Sequence, residues 1–183
     1  MTARPIVEGM RRRHSHPAVD DSAPSARELH PLIEAAASVA DHASLRPWRL
    51  IALRGSARER LGTAIAEAAG LEGLAAAKMA AKPLRAPLLL AVVVSPKPSH
   101  KVPEWEQEAV ASGVAHALSL VLDEAGWGVM WRSGLYTRAE AVHRFHELAP
   151  SERLLGWLYV GGKLKGKSGR RKPVKAKEFL SSL

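Results

Sequence analysis

The chain of 183 residues contains no cysteine, and this absence excludes whole classes of chemistry. Without a thiol there is no thiolate nucleophile, no disulfide bond, and no cysteine-based zinc or iron–sulfur site. Long hydrophobic runs are also missing. The apolar stretch at 84–94 is interrupted by Arg85 and Pro87, and it falls short of the roughly 20 residues that a membrane-spanning helix needs. We therefore interpret it as a buried strand and expect no membrane span.

Signals for export and for the common nucleotide-binding motifs are absent as well. The N-terminal arginines are not followed by an apolar segment, so we expect no secretory signal and a cytoplasmic location. No G-x-x-x-x-G-K-[ST] is present, and no G-x-G-x-x-G follows a predicted strand. Gly126-Trp127-Gly128 comes after a predicted helix, which is the wrong context for a Rossmann site. If the chain binds a nucleotide cofactor, it does so by a different route.

Positive charge is what the sequence has in excess, with 27 Lys and Arg against 18 Asp and Glu. The basic residues concentrate in an N-terminal group (Arg4 and 11–13) and in a tail from Lys163 to Lys177. Basic clusters attract phosphate in general, so nucleic acid, anionic lipid, FMN and NADPH all remain candidates. The simpler interpretation is a solvated tail. Nucleic-acid binding is disfavoured because the tail has no aromatic residue interleaved with its charge.

Hydrophobic periodicity predicts helices and strands in an order that is neither a βαβ succession nor all-helical. Ser25 and Glu28 form a capping-box pattern, and Ser56 and Thr137 are predicted caps of two later helices. The longest predicted helix runs from Glu104 to Ala125. Predicted strands are 48–53, 88–95, 129–132 and 154–160.

Four segments together carry a resemblance to a known family: 11–15, 41–49 (DHASLRPWR), 100–108 (HKVPEWEQE) and 131–134 (WRSG). In this order they resemble the small, minimal branch of the nitroreductase family, over roughly 10–159. The resemblance implies an α+β nitroreductase-like fold, with a central mixed β-sheet surrounded by helices and a long helix at a homodimer interface. It also implies an FMN-binding domain at 1–162 and a basic extension at 163–183 that packs on the domain or on the partner subunit.

The implied activity is that of an FMN-dependent oxidoreductase, which passes hydride from NADH or NADPH through the flavin to a nitroaromatic, quinone or similar small-molecule oxidant. The family places an Arg-Arg-Ser type motif against the FMN phosphate, and Arg12, Arg13 and Ser15 match it here. An arginine fork suits phosphate because it holds two oxygens at once. Arg171 matches the position at which many family members have a basic residue that contacts the FMN phosphate from the C-terminal tail. The alternative for these arginines is a solvated basic helix end.

The same resemblance assigns four residues to the flavin ring. His42 takes a flavin-facing position, where an imidazole could hydrogen-bond the ring or donate a proton near neutral pH; the alternative is a loop histidine that caps backbone. Trp131, Arg132 and Ser133 match the segment that borders the isoalloxazine ring. A positive Arg132 there would stabilise the reduced flavin, and the alternative is a surface arginine after a buried strand.

No side chain is assigned a catalytic role, because the flavin would carry the chemistry. No metal is expected either: Glu140 and His143 imitate half of a di-iron motif, but a second matching helix is missing. Two other classes stay open, a non-catalytic or repurposed flavin-binding scaffold and a basic nucleic-acid-binding protein. Reduction of bound FMN by NADH or NADPH separates the first from an enzyme. A DNA shift that survives deletion of 163–183 would favour the second.

Overall fold

The structure is a computed structural model that describes residues 4–164 and 174–182. Its four strands are β1 (Trp48–Leu53), β2 (Leu88–Val94), β3 (Trp127–Arg132) and β4 (Arg153–Gly162). Its six α-helices, within those ranges, are α1 (Pro5–Arg12), α2 (Ala26–Ala36), α3 (Ser56–Ala68), α4 (Gly73–Ala80), α5 (Glu104–Glu124) and α6 (Glu140–Phe145). The predicted order of elements is confirmed, and no helix in the described part is long and apolar enough to cross a bilayer.

The strands form one sheet in the order β1-β2-β4-β3, and every pairing is antiparallel. The expected central sheet with surrounding helices is confirmed, but the expectation that the sheet is mixed is wrong for the described strands. The reason is the position of β4. β2 and β3 run in the same direction and are connected through α5, yet β4 lies between them and is antiparallel to both. They therefore never pair directly.

Both faces of the sheet are covered, which explains the uniformly apolar sequence of β2. All seven of its residues are buried, as expected for a central strand with helices on each side. One face packs against α2 and α5, where Val114, Leu118 and Leu122 recur at four-residue spacing and are fully buried. The other face packs against α3 and α6, around Leu61, Val142 and the β4 side chains. The sheet thus separates two cores.

The three predicted helix caps can be compared with the residues at which the helices begin. The Ser25–Glu28 capping box is confirmed: the Ser25 hydroxyl accepts from the Glu28 backbone N–H at 3.3 Å, and the Ser25 N–H donates to the Glu28 carboxylate at 2.8 Å. The predictions for Ser56 and Thr137 are wrong. α3 already includes Ser56. Its N-cap residue is Gly55, which has no side chain that could cap the helix. The Thr137 hydroxyl instead donates to the Gly134 carbonyl at 2.7 Å, inside a short 3-10 turn.

The C-terminal extension is described only at its two ends. Lys163 donates to the Asp123 carbonyl at 2.7 Å, which ties the end of β4 to the end of α5. A short 3-10 turn at Ala176–Glu178 follows later, and Phe179 and Leu180 beyond it are largely exposed. Residues 165–173, including Arg171, lie outside the described residues.

Gly156 allows a close approach between β4 and the end of β3. Its φ is +138°, a backbone conformation that residues with a Cβ rarely adopt. A Cβ at this position would meet the Arg132 carbonyl oxygen and, at 2.8 Å, the indole nitrogen of Trp131. The register of β4 on β2 also shifts here, between Val92 and Val93. Gly156 therefore positions the segment that carries Trp131 and Arg132.

We expect Gly156→Ala to lower the free energy of unfolding by well over about 1 kcal/mol, because strain and a backbone collision add. Gly70→Ala is the matched control, since Gly70 also has a positive φ (+60°) but faces open space. Urea denaturation followed by far-UV circular dichroism measures both. Equal losses of stability in the two variants would contradict the close approach at Gly156.

Candidate functional site

A cavity of about 550 Å³ opens beside the end of β3, on the sheet face that packs against α3. This volume lies within the range of small-molecule sites, about 300–1,000 Å³. Among the residues that the structure describes, the lining combines aromatic side chains with three cations and includes no carboxylate. The aromatic members are Trp131, Tyr136, Trp157 and Tyr159, and the cations are Lys82, Arg85 and Arg132. Such a site suits a flat, electron-rich or anionic ligand.

Arg132 and Tyr159 form one wall of the cavity. The Arg132 guanidinium lies 5.1 Å from the centre of the Tyr159 ring, a favourable cation–π distance. Its Nε is buried and has no hydrogen-bond partner in the described part of the chain. Burial raises the pKa of Tyr159 against the opposing charges of Arg132 and Arg85, so the phenol keeps its proton. A buried donor without a partner is the kind of group that a ligand acceptor satisfies.

The segment after α1 runs along the free edge of β3. The His16 N–H donates to the Val129 carbonyl at 2.9 Å, and Asp20 pairs with Gly162 further along. This arrangement brings Arg13 and Ser15 to the same sheet edge as 131–133. Arg13 forms no ion pair with any residue of 4–164 or 174–182, and the Ser15 side chain is exposed. Arg12 instead pairs with Glu124 at 3.0 Å on the surface.

A cluster of charged and titratable groups holds this segment against the end of α5. The ring of His14 lies 4.2 Å from that of His16, and His16 Nε2 lies 3.4 Å from the Asp123 carboxylate. Lys163 approaches the same carboxylate at 3.0 Å. Burial lowers the pKa of His16, and the neighbouring His14 lowers it further. The neutral imidazole is therefore favoured beneath the arginine-bearing segment.

His42 lies in a different place from the other predicted site residues. Its Nδ1 is 3.0 Å from a Glu106 carboxylate oxygen near the start of α5. It lines a second cavity of about 410 Å³ together with the exposed Trp105. The backbone-capping role considered for His42 belongs to Asp41, whose carboxylate accepts from two later N–H groups of the loop, at 3.2 and 2.7 Å.

α5 separates these two groups of residues. A helical rise of roughly 1.5 Å per residue places Glu106 about 26 Å from Asp123, which contacts His16. Trp131 contacts α5 between them, with its ring 5.0 Å from that of His116. In one chain, Arg13 and Ser15 precede His16, which hydrogen-bonds β3, Arg12 pairs with Glu124 on the surface, and His42 lies beside the start of α5. Arg171 lies outside the described residues.

Sequence reasoning missed Lys82, Arg85 and Tyr159. Lys82 and Arg85 belong to a short 3-10 turn, Lys82–Arg85, that precedes β2. No motif marks them, because they line the cavity only through the packing of the turn before β2 near Tyr159 of β4. From the sequence, Tyr159 is predicted only to lie in the buried strand 154–160. Successive side chains of a strand point to opposite faces of the sheet. This alternation predicts that Trp157 and Tyr159 share one face, as they do.

His146 supports the floor of this cavity. Its Nδ1–H donates to the Val142 carbonyl at 2.7 Å, and its Nε2 accepts from the indole N–H of Trp157 at 3.1 Å. Burial lowers the pKa of His146 to about 4. A protonated ring would turn Nε2 into a donor that faces another donor. The neutral ring therefore fixes the position of Trp157.

Comparison with known proteins identifies the family. The sequence profile of the nitroreductase family matches residues 10–162. The Escherichia coli K12 protein named "Putative NAD(P)H nitroreductase YdjA" is 32% identical over 152 residues, which cover 81% of this chain and 83% of that protein. The chain belongs to the nitroreductase family.

Solved structures show the same fold. A nitroreductase-like family protein from Bacillus cereus superposes with a TM-score of 0.84 at 21% identity, covering 100% of this chain and 98% of that one. The FMN and NADPH-dependent nitroreductase NfnB from Sphigopyxis sp. strain HMH superposes with a TM-score of 0.77 at 15% identity, covering 98% and 99%. The α+β nitroreductase-like fold expected from the sequence is confirmed.

His146 predicts a specific dependence of stability on pH. Its pKa in the folded chain, about 4, lies below the ordinary 6.5, so the unfolded chain takes up the proton first. The stabilisation is complete above pH 6.5 and is lost as the pH falls toward 4, by about 3 kcal/mol in total. Urea unfolding of the wild type and His146→Gln at several pH values measures it. The difference between the two should shrink as the pH falls, and a constant difference would contradict the assignment.

Proposed function

We propose that the chain is an FMN-dependent oxidoreductase that passes reducing equivalents from NAD(P)H to nitroaromatic, quinone or similar small acceptors. The aromatic cavity, with the unsatisfied Arg132 Nε in its wall and Arg13 at the same sheet edge, carries this proposal. The names of two relatives support it: the E. coli protein as an NAD(P)H nitroreductase, and NfnB as FMN and NADPH-dependent. The need for NAD(P)H fits a cytoplasmic setting.

The segment after α1 would hold the phosphate of FMN. Arg13 has no competing ion pair with the described residues, and the exposed Ser15 hydroxyl two residues later is available to donate. A planar guanidinium and a hydroxyl are suitable donors for phosphate oxygens. Arg12 would join only by giving up its surface contact with Glu124, which costs little because exposed ion pairs are weak. Arg171 would add a further cation from the tail.

Residues 131–133 would border the flavin ring. FMN, when bound, supplies the two-electron chemistry that the side chains lack. Arg132 would orient the ring through its unsatisfied Nε, and its positive charge would favour the reduced, negatively charged form. The aromatic lining from Trp157 and Tyr159 excludes water from that side of the ring. The Tyr159 hydroxyl keeps its proton and can donate a hydrogen bond within the cavity.

The position of His42 supports a homodimer with shared sites. Within one chain, His42 contacts Glu106 near the start of α5, whereas the segment that carries Arg13 is held through His16 at Asp123, about 26 Å further along the helix. A second copy can bring its own His42 to the site. Large apolar side chains are available to cover such a contact, since Ile6, Trp105, Phe179 and Leu180 are each at least 70% exposed in the single chain. We propose that α5 and the tail 163–183 lie at this interface.

The test of the cofactor is a fluorescence titration of the FMN-free protein with FMN. We expect Arg13→Gln to weaken FMN binding by about 10- to 100-fold, the usual worth of hydrogen bonds to a charged group. Arg11→Gln is the control: it removes the same charge from an exposed position on α1. Anaerobic addition of NADPH should then bleach the visible absorption of the wild-type complex. Tight binding of FMN without bleaching would overturn the enzymatic part of the proposal.

The shared site predicts complementation between two defective chains. Arg13→Gln and His42→Ala should each reduce the FMN that survives gel filtration. A mixed dimer would combine the native Arg13 of one chain with the native His42 of the other, so about one of its two sites should be restored. Co-expression with two different affinity tags isolates the mixed dimers. No recovery of FMN in them would show that both residues act within one chain, or that His42 has no role.

A further inference from the structure

Two of the three cations in the cavity are not used by the proposed flavin site. Lys82 and Arg85 line the cavity from the side opposite β3, on the turn that precedes β2. Neither side chain forms an ion pair or hydrogen bond with another residue of the described ranges. Within 4–164 and 174–182, no acidic residue lines the cavity either. Two positive charges therefore face one aromatic cavity without a counter-charge from its walls.

The turn that carries these cations is held in place from both ends. The Arg58 guanidinium donates to the Ala86 carbonyl at 2.7 Å, just after Arg85. On the other side, α3 and α4 touch so closely that a Cβ on Gly62 would collide with the Ala80 carbonyl. Pro83 and Ala86 are buried. The backbone of the turn is thus fixed before any ligand arrives, while the Lys82 and Arg85 side chains themselves are exposed.

These cations and residues 131–133, which would border the flavin, lie on parts of the chain that β4 keeps apart. The turn leads into β2, and β4 lies between β2 and β3. Two strand spacings amount to about 10 Å, so β2 and the turn that precedes it belong to a part of the sheet that does not touch β3 directly. The phosphate of FMN has its own candidate partners, Arg13 and Ser15, at the outer edge of β3. The turn is therefore free to contact the other reactant.

We propose that Lys82 and Arg85 form an anion subsite for the reactant that enters beside the flavin, so that this chain prefers reactants carrying a negative group on or near a planar ring. The inference rests on the proposed function, since it names the reactants of that same cavity. The negative group is either the carboxylate of an aromatic acceptor or the 2′-phosphate of NADPH. Both are oxygen anions, which Lys and Arg bind by charge-assisted hydrogen bonds.

The test compares charged and neutral reactants of the same shape. In the FMN-loaded protein, kcat/KM is measured for 4-nitrobenzoate against 4-nitrobenzamide, and for NADPH against NADH. The double variant Lys82→Gln/Arg85→Gln should lose about tenfold for the anionic member of one pair and little for its neutral member. Loss with nitrobenzoate assigns the subsite to the acceptor, and loss with NADPH assigns it to the reductant. Lys78→Gln is the control, an exposed lysine one turn earlier that does not line the cavity.

A binding measurement separates the failure of this inference from the failure of the proposed function. Ligand-detected NMR with benzoate and benzamide requires no turnover, and wild-type protein should favour benzoate in a way that the double variant does not. If the wild type fails to reduce flavin but keeps this preference, only the proposed function is overturned. Equal effects on charged and neutral ligands, equal effects of Lys78→Gln, or loss of FMN from the double variant would each overturn the anion subsite.

Discussion

The position of β4 between β2 and β3 is the constraint from which the site follows. It aligns Trp157 and Tyr159 with the end of β3 and brings the turn before β2 to the same cavity. At position 156, β4 approaches the Arg132 carbonyl so closely that only glycine fits there. The strand part of the cavity wall therefore depends on backbone packing inside the sheet.

α5 provides the second organising feature. Its apolar face packs on the sheet, and its two ends hold different parts of the chain: Glu106 contacts His42, and Asp123 contacts His16. A rigid helix keeps these contacts far apart within one copy. This separation is the reason for proposing a site shared between two chains, because no local rearrangement of a 21-residue helix would bring its ends together.

The charges around the cavity are of one sign. The phenol of Tyr159 keeps its proton and so adds no negative charge to the lining, and burial keeps the His146 ring behind Trp157 neutral. The remaining charges are those of Lys82, Arg85 and Arg132, all positive. Such a site favours electron-rich and anionic ligands by long-range attraction as well as by contact, which agrees with the high net charge of the whole chain.

The sequence by itself determined the order of the helices and strands and the family, because periodicity and local motifs depend on neighbouring residues. It also pointed to a basic chain without thiol chemistry. Only the tertiary structure decided that β4 separates β2 from β3, that Lys82 and Arg85 face Tyr159, and that His42 lies far from Arg13 in the same chain. These relations join residues distant in sequence, and their physical origin is the packing of the sheet and of α5, which no local pattern encodes.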